Sequence, residues 1–311
     1  MKKKKNRDKK NKNKNKNTKK AFIKLKCAPK INKFNDNSCY NNQQIFKLKD
    51  IWNKNNPNNL IYTNNSNKIW KFLKNNLHSK CYNELCWLNK LNIKDKNIIK
   101  NKNFRPFSPK EWNVHPYTWL SSEEIIQVMR QYENKYNKFK FIGPSPIDFD
   151  DNKLYGSCVY EELCKFNIEK YYNSKPRKSK IGIIFNLDPH YKSGSHWIAL
   201  FIDLDKNFIF YFDSNGEKIP KRINILVNRI LYQSQKINLN LTFFSNEGME
   251  HQKRDGQCGM YTLYFIIELL KENKDYLFFK NNRVPDTLMK DYRIKYFNKT
   301  IEKLNYIKVT I

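Results

Sequence analysis

Four short stretches of the chain are almost continuously apolar and end at turn-forming residues, which is the pattern of buried β-strands. They comprise residues 181–187 (IGIIFNL), 196–203 (HWIALFID), 208–212 (FIFYF) and 239–244 (LNLTFF). Only four residues separate the second stretch from the third. Because so short a connection joins antiparallel neighbours, we expect these two strands to form a hairpin.

Apolar residues at helical spacing mark the segments between and around these strands. Ser121 or Ser122 can cap a helix that runs to about Tyr136, with Glu123 and Glu124 in its first turn. Further helices are predicted at 155–166, 219–232, 258–270 and 286–300. Strands and helices in this order predict an α+β core, in which a small mixed sheet is flanked by helices.

The first 110 residues differ in composition from this core. Residues 1–20 are a Lys/Asn tract of low complexity and are expected to be disordered. Residues 21–110 carry short apolar clusters such as 69–73 (IWKFL), and we predict a mostly helical arm that docks on the core. The core domain is then predicted to span residues 111–311.

The chain is strongly basic, with 60 Lys and Arg against 29 Asp and Glu and a net charge of +31 at pH 7. The first 20 residues contribute 11 Lys and one Arg against one Asp, so the basic character extends well beyond them. Such a charge attracts DNA or other polyanions without sequence preference. Lys and Asn also recur together throughout, as A/T-rich coding sequence would produce, so a nucleic-acid role and a compositional bias are equally open.

Several classes of protein are disfavoured by the sequence. No stretch of about 18 residues is apolar enough for a transmembrane helix, and the basic start lacks the apolar segment of a secretory signal. No glycine-rich nucleotide loop is present. Seven irregularly spaced cysteines favour a reduced intracellular compartment over a disulfide framework. Cys81 and Cys86, with His78 nearby, do not match the spacing of a zinc finger, so no metal and no other cofactor is predicted.

Cys258 has the surroundings expected of a nucleophile. It lies in residues 256–259 (GQCG) and opens an apolar run of helical length. A thiol at a helix N-terminus is favoured as the thiolate, because the aligned N–H dipoles attract negative charge. His196 begins one strand of the predicted hairpin and Asp213, 17 residues later, follows the other. Since these strand ends are neighbours, the sequence predicts a Cys-His-Asp set for nucleophilic catalysis.

With Gln252 six residues before Cys258, this set resembles the Ulp/adenain clan of cysteine proteases. The clan includes SUMO-specific proteases, the adenovirus protease and polyprotein proteases of large DNA viruses. A further match is 119–126 (WLSSEEII), which is similar to the Trp-Leu-Asn-Asp start of the clan's first core helix, and the resemblance covers about residues 119–296. Residues 146–150 (PIDFD) and 186–197 (NLDPHYKSGSHW) are closer to the large-DNA-virus branch. The resemblance implies a papain-like or adenain-like core fold.

The resemblance and the chemistry together suggest a role for each residue. Cys258 would attack, His196 would transfer protons, and Asp213 would orient the imidazole, with Asp203 and Asp188 as alternatives for the carboxylate. The Gln252 amide and the Cys258 backbone N–H would stabilise the oxyanion.

Two tryptophans would set the substrate preference. The resemblance implies that Trp119 and Trp197 form a narrow channel for a Gly-Gly tail, and the alternative is that both are core aromatics. Two positions depart from the clan's pattern. Gln257 replaces the Asp that usually precedes the nucleophile, and Ser122 replaces an Asp that grips SUMO in the SUMO-protease branch.

Three functional hypotheses follow from this resemblance. The preferred one is a cysteine endopeptidase of a large DNA virus that cleaves virion or capsid polyproteins, after Gly-Gly-like sites, during particle maturation. Such an enzyme would be located in the virion and in the viral factory of the host cytoplasm. The alternatives are a deconjugase of SUMO, ubiquitin or a similar modifier, and an inactive basic virion protein that binds nucleic acid or a scaffold.

Overall fold

The computed structural model describes residues 21–31, 38–152 and 156–300, so the predicted tail at 1–20 lies outside the described residues. The described chain divides into two compact units. Residues 21–24 and 43–93 form one unit. The other unit contains residues 25–31, 38–42, 94–152 and 156–300. Within the described ranges, no helix has the length and apolar character needed to cross a membrane.

The smaller unit is helical, which confirms the predicted character of the N-terminal region. It contains helices α1 (Asn42–Asn55, all but its first residue), α2 (Ser66–Leu77) and α3 (Leu85–Lys90). Its core is aromatic: the rings of Trp70 and Trp87 lie 5.9 Å apart. The Trp70 indole N–H donates to the buried Glu84 carboxylate at 3.1 Å.

The larger unit is α+β, as predicted. Its strands are β1 (Phe139–Pro146), β2 (Lys180–Asn186), β3 (Trp197–Asp203), β4 (Phe208–Phe212) and β5 (Thr242–Ser245). A short 3₁₀ helix covers Lys110–Asn113, and the α-helices are α4 (Lys96–Asn103), α5 (Ser122–Lys135), α6 (Glu161–Cys164), α7 (Ile168–Tyr172), α8 (Lys221–Lys236), α9 (Cys258–Leu270), α10 (Tyr276–Asn281) and α11 (Asp286–Tyr296).

The five strands form one mixed sheet in the order β1-β2-β3-β4-β5. The two outer pairs are parallel, whereas β2, β3 and β4 are antiparallel to one another. The predicted hairpin is β3–β4, in which Ala199 pairs with Phe212 at the open end and Asp203 with Phe208 at the turn. The residue just before β3 and the residue just after β4 therefore lie side by side at the open end of the hairpin.

Alternation along the strands divides the sheet into two apolar faces. In β3, Ala199 and Phe201 belong to the cluster that includes α5 and α9, whereas Leu200 and Ile202 belong to the cluster that includes α8. All thirteen residues of α9 are buried, as expected of a helix that is apolar on every side. The N-terminus of α9 is consequently fixed against the sheet.

Several predicted boundaries differ from the structure. The prediction of a helix at 155–166 is wrong for the described residues before α6. There the backbone N–H groups of Val159 and Tyr160 donate to the carbonyls of Asp151 and Phe149, and the helix begins at Glu161. The fourth strand starts at residue 242 instead of 239, α8 continues to residue 236, and the last helix ends at residue 296. Strand β1 escaped prediction because Gly and two prolines interrupt its apolar pattern (FKFIGPSP), and α10 was also missed.

The expectation of unpaired cysteines is wrong for six of the seven. Disulfides join Cys27 to Cys39, Cys81 to Cys86, and Cys158 to Cys164, with Cα–Cα distances of 5.2, 5.5 and 6.2 Å. Every partner lies within 12 residues in sequence, so local turns bring each pair together without a regular framework. All seven cysteines lie in the described residues, and Cys258 is the free one.

Candidate active site

The open end of the β3–β4 hairpin brings His196 and Asp213 together. His196 immediately precedes β3 and Asp213 immediately follows β4, and the imidazole Nε2 lies 2.7 Å from the Asp213 Oδ1. The Asp213 side chain is almost fully buried, and that of His196 is mostly buried. The hairpin that was predicted from apolar patterning thus accounts for this contact.

The Asp213 carboxylate is held by its surroundings. Its Oδ1 also accepts from the backbone N–H of Asn215 at 2.8 Å. The buried Asn246 side chain brackets the Asp213 backbone: its Oδ1 accepts from the Asp213 N–H at 2.9 Å and its Nδ2 donates to the Asp213 carbonyl at 2.6 Å. Sequence reasoning missed Asn246, for which the available signal was a polar residue directly after an apolar strand.

Cys258 is the first residue of α9 and is buried. Its side chain lies close enough to His196 to raise the pKa of the imidazole. Because the Nε2 of His196 faces Asp213, the other ring nitrogen, Nδ1, is the one available to the thiol. The structure therefore joins Cys258, His196 and Asp213 in one chain of contacts, at a helix end that favours negative charge.

Two glycines allow this helix start to approach its neighbours. Gly256 has φ +83°, and a Cβ there would lie 2.2 Å from the Tyr117 carbonyl oxygen and 3.1 Å from the Trp119 ring. A Cβ on Gly259 would lie 3.1 Å from Leu120 Cβ and 3.2 Å from Trp197 Cδ1. Only glycine fits at position 256, where both the backbone conformation and the space exclude a side chain.

The contacts of His196 set its charge state. Burial by itself disfavours the imidazolium, but the hydrogen bonds and charges of Asp213 and Cys258 outweigh it and raise the pKa of His196 to about 10. At neutral pH the ring therefore holds its second proton.

Gln252 is buried and its amide is oriented by Ser214. The Gln252 backbone N–H donates to the Ser214 carbonyl at 2.8 Å, and its Oε1 accepts from the Ser214 hydroxyl at 3.1 Å. Since the carbonyl end of the amide is bound in this way, the Nε2 end is the one directed away from Ser214. Among the described residues, the hydrogen bond of the Gln252 side chain is the one from Ser214 to Oε1, so Nε2 is able to donate to a substrate.

The neighbouring His251 is a structural residue. Its Nε2 donates to the Phe279 carbonyl and its Nδ1 accepts from the Val284 backbone N–H, each at 3.0 Å. Burial is the main cause that lowers the pKa of His251 to about 4. A neutral ring with both nitrogens occupied cannot serve as a second base.

Trp119 and Trp197 both line a cleft of about 470 Å³, whose lining includes none of the four candidate catalytic residues. Trp119 is 45% exposed, whereas Trp197 is 6% exposed and donates its indole N–H to the Leu120 carbonyl at 2.9 Å. Trp197 also belongs to the core cluster against α9. The two tryptophans therefore share one cleft but differ in exposure.

Residues 127–305 match the family model described as the Ulp1 protease family, C-terminal catalytic domain. This segment is more than half of the chain. The chain belongs to the Ulp1 protease family. The matched segment is a cysteine peptidase domain that contains His196, Asp213, Gln252 and Cys258, whereas Trp119 precedes it.

The chain is similar to proteins of two large DNA viruses. It is 34% identical over 152 residues to a protein of Acanthamoeba polyphaga mimivirus named as a thiol protease, a match that covers 49% of this chain and 48% of that protein, about half of its length. It is 28% identical over 190 residues to the cysteine protease of African swine fever virus, covering 57% of this chain and 67% of that protein. In other isolates that protein is named SUMO-1 cysteine protease.

A crystal structure of the African swine fever virus protease shares the fold. It has a TM-score of 0.63 and 19% identity, over 90% of this chain and 98% of that one. The likeness therefore extends beyond the 127–305 segment that matches the family model.

The alternative carboxylates lie elsewhere. Asp203, at the turn end of β3, accepts from the backbone N–H groups of Asp205 and Lys206 at 3.0 and 2.9 Å. Asp188 lines the cleft. Of the three acidic residues considered, Asp213 is the one in contact with His196. No group of residues in the described ranges has the arrangement of a metal site.

Proposed function

We propose that this protein is a cysteine endopeptidase of a large DNA virus that cleaves viral polyproteins or structural precursors during virion maturation. The observation that carries the proposal is the contact of His196 with both Asp213 and Cys258 at the start of a buried helix. The viral origin of the named relatives supports the biological setting, in the virion and the viral factory of the host cytoplasm.

The proposed reaction begins with the Cys258 thiolate beside the His196 imidazolium. The sulfur attacks the carbonyl of the scissile bond, and His196 gives its proton to the leaving amine. Asp213 keeps the imidazole in the orientation and tautomer that this transfer requires. Once the sulfur is acylated, its contribution to the raised pKa of His196 is lost, so the ring becomes a base that activates the hydrolytic water.

The oxyanion of the tetrahedral intermediate would be stabilised by two donors, the Gln252 Nε2 and the Cys258 backbone N–H. Two features support this role. The Ser214 hydroxyl fixes the Gln252 amide from its carbonyl end, and the first N–H groups of α9 have no partner within the helix.

A preference for Gly-Gly before the scissile bond is proposed from the cleft. Both indoles line this cleft, and a narrow slot between them would exclude residues with a Cβ and admit glycine. The proposed partners are a protein substrate and a polyanion. The polyanion, DNA or a virion component, would bind to the basic surface without sequence preference.

A deconjugase of SUMO or ubiquitin is the second candidate, because the catalysis would be identical and a similar viral protein carries a SUMO protease name. Ser122, in place of the acidic residue that grips SUMO in the SUMO-protease branch, weighs against it. The third candidate, an inactive binding protein, is disfavoured because the nucleophile, base and orienting carboxylate are all in contact.

The decisive experiment incubates the full chain and its Cys258→Ala variant with a library of Gly-Gly-X peptides, beside SUMO and ubiquitin fusions. We expect the wild type to cleave the peptides and the folded variant to cleave none. Cleavage of the fusions alone would favour the deconjugase. Equal turnover by the variant, or no cleavage of any substrate by the wild type, would count against the proposed enzyme.

A further inference from the structure

Arg293, near the end of α11, is a charged residue in the interior of the larger unit. It is only 4% exposed. Its Nη1 donates to the Thr118 carbonyl at 3.0 Å and its Nη2 to the Gly256 carbonyl at 2.7 Å. The guanidinium also lies over the Trp112 ring, at 4.3 Å from the centroid. The two carbonyls belong to the segment that leads to Trp119 and to the turn that leads to Cys258.

Within the described residues this buried charge is bound by two carbonyls and by no carboxylate, and its Nε atom is buried without a hydrogen bond. Burial of an unpaired cation is costly, so such a group is unexpected in a core that only needs packing. Desolvation accordingly lowers the pKa of Arg293 to about 10, and the first group that opposes this shift is Cys258. Even so, the guanidinium is charged at neutral pH.

The position of Arg293 relative to Cys258 suggests what it does. Gly256 precedes Gln257, whose carbonyl accepts the Met260 and Tyr261 N–H groups and so starts α9. Arg293 therefore fixes the turn that presents both the thiol and the backbone N–H of Cys258. His196 contacts Cys258 from the hairpin and Arg293 binds the Gly256 carbonyl from α11, so two cationic residues of different elements are arranged around the start of α9.

We propose that Arg293 is a positioning residue for the cysteine peptidase reaction, and this proposal rests on the proposed function. Its guanidinium links the Trp119 segment to the Gly256 turn, and its charge favours negative charge on the Cys258 sulfur and on the oxyanion. Local sequence does not point to this role, because a helix with several Lys and Arg residues offers no reason to single out one of its cations.

The test compares Arg293→Met, Arg293→Lys and Lys290→Met. Lys290 is the matched control, since it is an exposed cation one turn earlier on the same helix. Two measurements are made on each folded variant: the rate of Cys258 alkylation by iodoacetamide from pH 5 to 9, and kcat and KM for a Gly-Gly-X peptide. Alkylation is specific in the full chain because the other six cysteines are paired.

We expect Arg293→Met to move the alkylation profile to higher pH and to lower kcat by about tenfold to a hundredfold, with a smaller change in KM. Arg293→Lys keeps the positive charge but loses the planar guanidinium that donates to both the Thr118 and Gly256 carbonyls. Its alkylation profile should therefore stay near that of wild type, while kcat falls. Lys290→Met should change neither quantity.

The proposal is overturned if folded Arg293→Met matches Lys290→Met in both measurements. If the Met variant does not fold, the Lys variant decides: unchanged kcat overturns the proposal, and a lower kcat at an unchanged alkylation profile supports it. The alkylation profile needs no substrate. It therefore tests Arg293 even if no peptide is cleaved and the proposed function fails.

Discussion

Two histidines with little exposure to solvent, His196 at the hairpin end and His251 in the loop before α9, have pKa values shifted in opposite directions. His196 contacts a carboxylate and a thiol, and its pKa rises to about 10. His251 contacts a carbonyl and a backbone N–H, and its pKa falls to about 4. Both rings are largely shielded from water, so burial alone does not decide their charge. A histidine with ionisable partners is therefore charged and able to transfer a proton, whereas a histidine with backbone partners is neutral and stabilises a loop.

The strongest test of this contrast substitutes glutamine at each position. His196→Gln should lower kcat by at least about 10⁴-fold with little loss of stability, because it removes the proton carrier. His251→Gln should lower the unfolding temperature but leave kcat of the folded fraction near wild type. Calorimetry with peptide hydrolysis checks both. A His251 variant as inactive as the His196 variant would contradict the division.

The hairpin's carboxylate offers the next test. Asp213→Asn should lower kcat by about 10³–10⁴-fold, because the amide cannot hold the imidazolium and favours the wrong tautomer. Asp203→Asn is the matched control, since Asp203 lies at the other end of the hairpin and its partners among the described residues are two backbone N–H groups and Lys180. It should affect stability more than turnover. The reverse ranking in steady-state kinetics would transfer the orienting role to Asp203.

In the loop, Gln252 is expected to act on the transition state. Gln252→Ala should lower kcat by about 10²–10³-fold with KM nearly unchanged, as for loss of one oxyanion donor. Ser214→Ala should have the same kind of effect but a smaller one, because it removes only the hydroxyl that orients the amide. If the Gln252 variant raises KM at constant kcat, Gln252 is a binding residue.

The two histidines should also give opposite slopes of stability with pH. For His251, whose pKa is lowered on folding, the stabilisation is complete above about pH 6.5 and is lost as pH falls toward 4, by about 3 kcal/mol. For His196, whose pKa is raised, the stabilisation is complete below about pH 6.5 and is lost as pH rises toward 10.

Denaturant unfolding across this pH range measures both slopes. His251→Gln should flatten the acid side relative to wild type, and His196→Gln the alkaline side. Unchanged slopes in both variants would show that other groups control the pH dependence.

The smallest expected effect is on specificity. Trp119→Ala should relax the preference for Gly before the scissile bond without a stability loss, because Trp119 is half exposed. Trp197→Ala should also destabilise the fold, since Trp197 packs in the core. A peptide panel and a melting curve separate these outcomes. An unchanged peptide profile in both variants would make the tryptophans structural only.

Local patterns in the sequence were sufficient for much of the fold. Runs of apolar residues identified β2, β3 and β4, and the four-residue connection identified their hairpin. The same hairpin predicted that His196 and Asp213 would meet, because strand ends joined by a tight turn are neighbours whatever the rest of the chain does. Strand β1, with its Gly-Pro interruption, gave no such pattern, and its pairing with β2 depends on residues about 40 positions away.

Contacts between distant segments were decided only by the tertiary structure. Asn246 donates to the Asp213 carbonyl, and His251 accepts from the Val284 backbone N–H. Arg293 donates to the Gly256 and Thr118 carbonyls. These contacts join residues that are 33 to 175 positions apart. Nothing in the local sequence of these residues distinguishes them from other Asn, His or Arg residues. The sequence by itself determined which residues carry the proposed chemistry, because that depends on residue type and local spacing. Only the tertiary structure decided their charge states, because these depend on which groups packing brings within hydrogen-bond reach.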